Sequence, residues 1–189
     1  MRIIRAAPNL LTLFRLGMTP WIASSILEHN FPLALGIFVA VAITDSLDGW
    51  IARRYQAITR AGAMLDPVAD KALLSTIYIC LGVSGAMPMW LVYVVFGRDL
   101  LILLLAATAL LFTPLRDFPP SLWGKLSTLV QVVCAATVML SKTGWLGDLA
   151  ALARLIYGVV AATAFWSALH YLVTGVQRLR AHPSLKKAD

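Results

Sequence analysis

Charge is scarce in this chain. Only 13% of its 189 residues are charged and nine are acidic, where an ordinary soluble domain carries about a quarter charged residues. With 60% hydrophobic residues, too little polar surface is present to clothe a water-soluble fold, which leaves an integral membrane protein. Cysteine is scarcer still. Cys80 and Cys134 lie in separate apolar segments with no metal-ligand neighbours, which excludes a disulfide framework and a cysteine-based zinc site. No low-complexity segment, internal repeat or linker divides the sequence, so residues 1–189 read as one domain.

What the chain does have is long apolar runs. Six are long enough to cross ~30 Å of hydrocarbon as helices. They run over about 9–27, 33–54, 61–83, 89–112, 122–140 and 149–176, separated by short polar or Gly/Pro-containing turns. The fold expected is all-α, a bundle of six transmembrane helices. Arg2 and Arg5 precede the first run, but Pro8, Arg15 and the length of that run favour a retained helix over a signal peptide.

The net charge of +7 would suggest nucleic acid on a soluble protein. Here the cations gather at helix ends, where they meet anionic headgroups and set orientation. Arg2, Arg5, Arg53, Arg54, Arg60, Arg116, Lys125, Arg178, Arg180, Lys186 and Lys187 fall on one side, and the opposite loops offer little beyond Lys142. The positive-inside rule then puts both termini in the cytoplasm. The partner expected is the lipid bilayer, with no nucleic acid.

Four of the nine acids stand together. The stretch reads Asp45-x2-Asp48-Gly49-x2-Ala52-Arg53-x8-Gly62-x3-Asp66-x3-Asp70. An ionised Asp at the bilayer centre costs at least ~2.5–3.5 kcal/mol, so such residues are functional candidates by default. Asp45 and Asp48 are spaced i,i+3, and Asp66 and Asp70 i,i+4, so each pair shares one helical face. Two such faces turned together make an all-oxygen cage suited to Mg²⁺ or Mn²⁺. The blander reading is a set of buried ion pairs, which gives no reason for the glycines at their offsets. In the first helix Asn9, Thr12 and Arg15 form a stripe at i, i+3, i+6. Taken alone, Arg15 would read as a cation snorkelling to the interface.

That spacing, fixed at every position, resembles the CDP-alcohol phosphatidyltransferase family, whose plan of six helices with the motif across the second and third covers essentially this whole chain. The resemblance implies transfer of a phosphatidyl group from CDP-diacylglycerol to an alcohol, with CMP released and two divalent ions, Mg²⁺ or Mn²⁺, at the site. It makes Asp45, Asp48 and Asp66 metal ligands, and Asp70 a metal ligand and the base that deprotonates the acceptor hydroxyl. It puts Asn9, Thr12, Arg15, Gly49, Arg53, Thr59 and Gly62 around the CDP-lipid, and it implies a homodimer in the membrane.

Acceptor choice is read from the remaining cations. Arg60, Arg98, Arg116 and Lys125 could bind an acceptor that carries its own phosphate, such as glycerol 3-phosphate, by bidentate or point-charge contacts. For Arg116 and Lys125 an orienting loop charge is an equally good reading. The segments from Asn9 to Arg15 and from Leu65 to Lys71 resemble phosphatidylglycerophosphate synthases. Arg98-Asp99 instead resembles cardiolipin synthases that use CDP-diacylglycerol and phosphatidylglycerol. The expectation is therefore glycerol 3-phosphate, with phosphatidylglycerol as the alternative. Two other classes compete: a cation transporter, which would spread its acids across the membrane depth, and a structural membrane protein.

Overall fold

Backbone groups in lipid must be satisfied within their own segment, and apolar runs of this length do so as helices. A computed structural model describes residues 2–54, 60–112, 122–146 and 149–181, with side chains described over 14–45, 69–105, 107–108, 122–146, 149 and 151–175. Among those residues the regular elements are six helices and no strands: α1 Arg2–Leu27, α2 Phe31–Arg54, α3 Arg60–Val83, α4 Met89–Phe112, α5 Leu122–Thr143 and α6 Ala150–Ala181.

The all-α expectation holds, and α4 has the bounds read from sequence. Helix α1 starts at Arg2 rather than Asn9, while α5 and α6 run on to Thr143 and Ala181. The sequence reading ended helices where hydrocarbon would end. Arg, Gln, Leu and Ala at 2–7 and 177–181 are good helix formers, and the helix continues past that limit. Among the described residues two stretches, Leu122–Thr143 and Ala151–Gly175, are long and apolar enough to cross a membrane; Phe31–Asp45 is a shorter apolar segment. Large hydrophobic side chains stand exposed on all six helices, among them Trp21, Ile43, Ile79, Tyr93, Leu129 and Phe165. Soluble monomers rarely show apolar surface on that scale.

The chain divides into two compact units, Met1–Met89 with Ala135–Ala150, and Trp90–Cys134 with Ala151–Asp189. In the first, α1 packs on both α2 and α3. Its buried stripe is Arg15, Thr19, Ile22 and Ile26, residues at i, i+4, i+7 and i+11 that share a helical face. On α2 the stripe is Phe31, Ala34, Phe38 and Val41, and on α3 it includes Leu74, Ile77 and Leu81. Asp45 extends the α2 stripe by one turn and Asp70 precedes Leu74 by one turn, so helical period alone brings both toward α1. Between helices in lipid the attraction is close packing rather than escape from water. Buried hydroxyls bond back along their own helix, as Thr19 Oγ1 does to the Arg15 carbonyl at 2.9 Å and Ser25 Oγ to that of Trp21 at 2.8 Å, which satisfies them without water.

Helix α1 ends at Leu27 and is closed off by His29, with φ at 59°. The Asn30 amide donates to the Ser25 carbonyl at 2.8 Å and the His29 amide to that of Ile26 at 3.1 Å. This is a Schellman arrangement, with His29 in the left-handed position where Gly is usual. Asn30 then caps α2, its Oδ1 accepting from the Leu33 amide at 3.3 Å. After α3, Gly85 takes the same role with φ at 72° and open space around it. Gly85→Ala meets no neighbour, so only the backbone opposes it. It should lower stability by about 1–2 kcal/mol, read as a drop in the melting temperature of the detergent-solubilised protein.

Candidate functional site

Three helices meet at one cation. Arg15 of α1 is buried, with 3% of its surface exposed. Its Nη2 donates to Asp45 Oδ1 on α2 and its Nη1 to Asp70 Oδ1 on α3. Both are ion pairs, and the two carboxylate side chains are half-exposed, at 47% and 55%. A guanidinium is planar and offers its donors as a rigid fork, which lets one side chain hold two carboxylates at a set spacing. Pairing also meets the energetic need, since a buried charge left alone would be strongly destabilising.

Asp45 and Asp70, 25 positions apart in sequence, are thus brought together on one guanidinium. Asp48, Gly49 and Arg53 lie on α2, Arg60, Gly62 and Asp66 on α3, and Asn9 and Thr12 on α1. The side chains of these eight, and Thr59 and Arg116 altogether, lie outside the described residues. Among the described residues no three His, Cys, Asp or Glu side chains cluster as a metal would need. Two hard-oxygen ligands converging on a single cation nevertheless fit Mg²⁺ or Mn²⁺ in ligand chemistry.

Residues 5–173 match the profile of the CDP-alcohol phosphatidyltransferase family. The chain belongs to that family. Among its relatives is a protein of Rattus norvegicus named cardiolipin synthase (CMP-forming), 42% identical over 97 residues, which cover 51% of this chain and 32% of the relative. A probable phosphatidylglycerophosphate synthase of Mycobacterium tuberculosis (strain ATCC 25618 / H37Rv) is 34% identical over 143 residues, 72% of this chain and 66% of the relative. A putative cardiolipin synthase of Mycobacterium bovis is 32% identical over 189 residues, 97% of this chain and 88% of the relative. The chain spans about a third of the length of the rat, human and fly relatives it matches, at 32%, 32% and 31%.

Arg98 and Lys125, the acceptor candidates with described side chains, lie in the second unit. Arg98 on α4 donates from Nη1 to Asp99 Oδ1 at 2.9 Å and from Nη2 to Ser167 Oγ on α6 at 2.7 Å. Its Nε is buried and meets no partner among the described residues. Beside it lies a cavity of about 260 Å³, lined by Tyr93, Gly97, Leu101, Ala164 and Phe165. Small residues at such a crossing leave room for side chains or lipid. Lys125, in the first turn of α5, is exposed.

The Arg15 fork and the Ser167 contact were not legible in the sequence. A lone serine on an apolar helix carries no signal. Arg15 stood in a recognisable stripe, but its partners belong to helices 30 and 55 positions away.

Proposed function

We propose that this protein transfers the phosphatidyl group of CDP-diacylglycerol to a glycerol hydroxyl and releases CMP, with two divalent ions held by Asp45, Asp48, Asp66 and Asp70. The observation that carries the reading is the convergence of Asp45 and Asp70 on one buried cation, at two of the four motif positions. When bound, the ions would offset pyrophosphate charge and stabilise the leaving oxygen. The chain's own residues do the rest. Asp70 takes the proton of the acceptor hydroxyl. Arg53 and Thr59 bind the diphosphate, Gly49 and Gly62 allow close approach, and Asn9 and Thr12 line the nucleotide. In this reading all six helices span the membrane, both termini and the site face the cytoplasm, and the protein acts as a homodimer.

For the acceptor we favour phosphatidylglycerol over glycerol 3-phosphate, reversing the order read from the sequence. Both outer nitrogens of Arg98 are engaged within the protein, which leaves it poorly placed to clamp a free phosphate bidentately. The cavity beside it is lined mostly by apolar groups, suited to an acyl chain. The M. bovis relative, whose match covers nearly this whole chain, is named a putative cardiolipin synthase. Lys125 remains available for the phosphate of a lipid headgroup. A radiolabelled CDP-diacylglycerol assay with each acceptor at saturation should show cardiolipin forming at least ten times faster than phosphatidylglycerophosphate. The opposite ratio would restore glycerol 3-phosphate as the substrate.

A further inference from the structure

The same fork suggests a role for Arg15 that the motif does not assign. Its guanidinium is buried, while the carboxylates it holds are half-open to the outside. The Arg15 contacts therefore lie on the enclosed side of Asp45 and Asp70, and a divalent ion would approach from the open side. Arg15 and a metal can be present together, the one behind the carboxylates and the other in front. The fork fixes how far apart the two Oδ1 atoms stand, and through them how the remaining oxygens are presented. Side chains that orient metal ligands in this way typically change metal affinity 10–100-fold when removed.

The neighbours of Arg15 support a fixed post rather than a mobile one. Thr19 one turn on bonds the Arg15 carbonyl, and Ile22 and Ile26 continue the same face without exposure. Asp45 and Asp70 each lie one turn from a buried apolar stripe, so α2 and α3 are held against α1 by packing that does not depend on the ion pairs. Arg15 is then not needed to bring the helices together. What it adds is the spacing and rotation of two carboxylates at their ends.

We propose that Arg15 is a positioning residue for the divalent-metal site, a fork behind Asp45 and Asp70 that stays in place when metal binds. The proposal rests on the metal reading above. Its test is Mn²⁺ binding to the full chain in lipid nanodiscs without CDP-lipid, followed by electron paramagnetic resonance. Arg15→Gln should raise the Mn²⁺ dissociation constant ten- to a hundredfold. Arg15→Lys restores the charge but not the planar fork, and should still bind at least threefold more weakly than wild type.

Tighter binding in Arg15→Gln would mean that the guanidinium competes for the metal's place, and would overturn the proposal. Wild-type affinity in Arg15→Lys would reduce its role to charge alone, and would also overturn it. If the wild-type protein binds no Mn²⁺, the metal reading itself fails, and the proposal with it. A measurement on the unmodified chain guards against a variant that does not fold. Labelling by phenylglyoxal, located by peptide mass spectrometry, should leave Arg15 protected with and without Mg²⁺. Arg15 becoming reactive when Mg²⁺ is added would show displacement and overturn the proposal.

Discussion

Excess chelator should bring CMP release from CDP-diacylglycerol to less than a hundredth of its Mg²⁺-supported rate, and added Mg²⁺ or Mn²⁺ should restore it. The expectation follows from charge. A pyrophosphate and a group of four aspartates repel one another, and Arg15 is a single positive charge already shared between two of the acids. Arg15 and Arg53 together are too few charges to offset four carboxylates and a diphosphate, whereas two divalent ions can, and they also stabilise charge developing on the leaving oxygen. Removing such stabilisation from a phosphoryl-transfer site costs several kcal/mol, at ~1.4 kcal/mol per tenfold in rate. A protein in nanodiscs that turned over at full rate in excess chelator would overturn the two-ion reading. Reversibility matters as much as loss, because apolar packing of α1 on α2 and α3 should keep the scaffold folded while metal is absent.

The second large effect separates proton transfer from metal binding. Asp70→Asn keeps an oxygen that can accept from Arg15, so the fork and the helix contacts survive. What it loses is the capacity to take a proton from the acceptor hydroxyl. Turnover should fall ~10²-fold or more, the usual scale for general-base catalysis, and should not recover at any Mg²⁺ concentration. Asp45→Asn is the control. It carries the same substitution on the other arm of the fork, without the base role, and should shift the Mg²⁺ requirement upward while most of the maximal rate returns at saturating metal. Steady-state rates across a Mg²⁺ titration, taken for both variants, distinguish the two roles. Recovery of Asp70→Asn at high Mg²⁺ would make it a metal ligand only.

The helices were legible because long apolar runs have few alternatives, and their turns were marked by Gly85, Pro88, Gly144 and Asn30. Asp45 and Asp70 were legible because acids in such runs need a reason. Their convergence followed from periodicity, each lying in register with a buried apolar stripe. The resemblance puts Arg15 beside the CDP-lipid, and the structure adds its contacts with the two carboxylates. Which helix a snorkelling-length cation turns toward depends on tertiary packing, and local spacing does not contain it. Arg98 and Asp99 stood out as neighbouring charges within the fourth apolar run. Ser167 could not be read, since 69 positions separate it from Arg98. The helix ends beyond the hydrocarbon were missed for a simpler reason: propensity, not hydropathy, decides them.

The His29 turn has a bearing on how the chain is made. It joins α1 to α2 through the three residues 28–30, so the two helices form one hairpin. Arg15 and Asp45 face each other across it, and each would be costly to expose to hydrocarbon by itself. On the proposed reading that all six helices span the membrane, partners synthesised within 30 residues of one another would let the nascent hairpin enter the bilayer with that pair of charges already cancelled. Asp70 arrives only with the next helix, and finds the second arm of the guanidinium waiting.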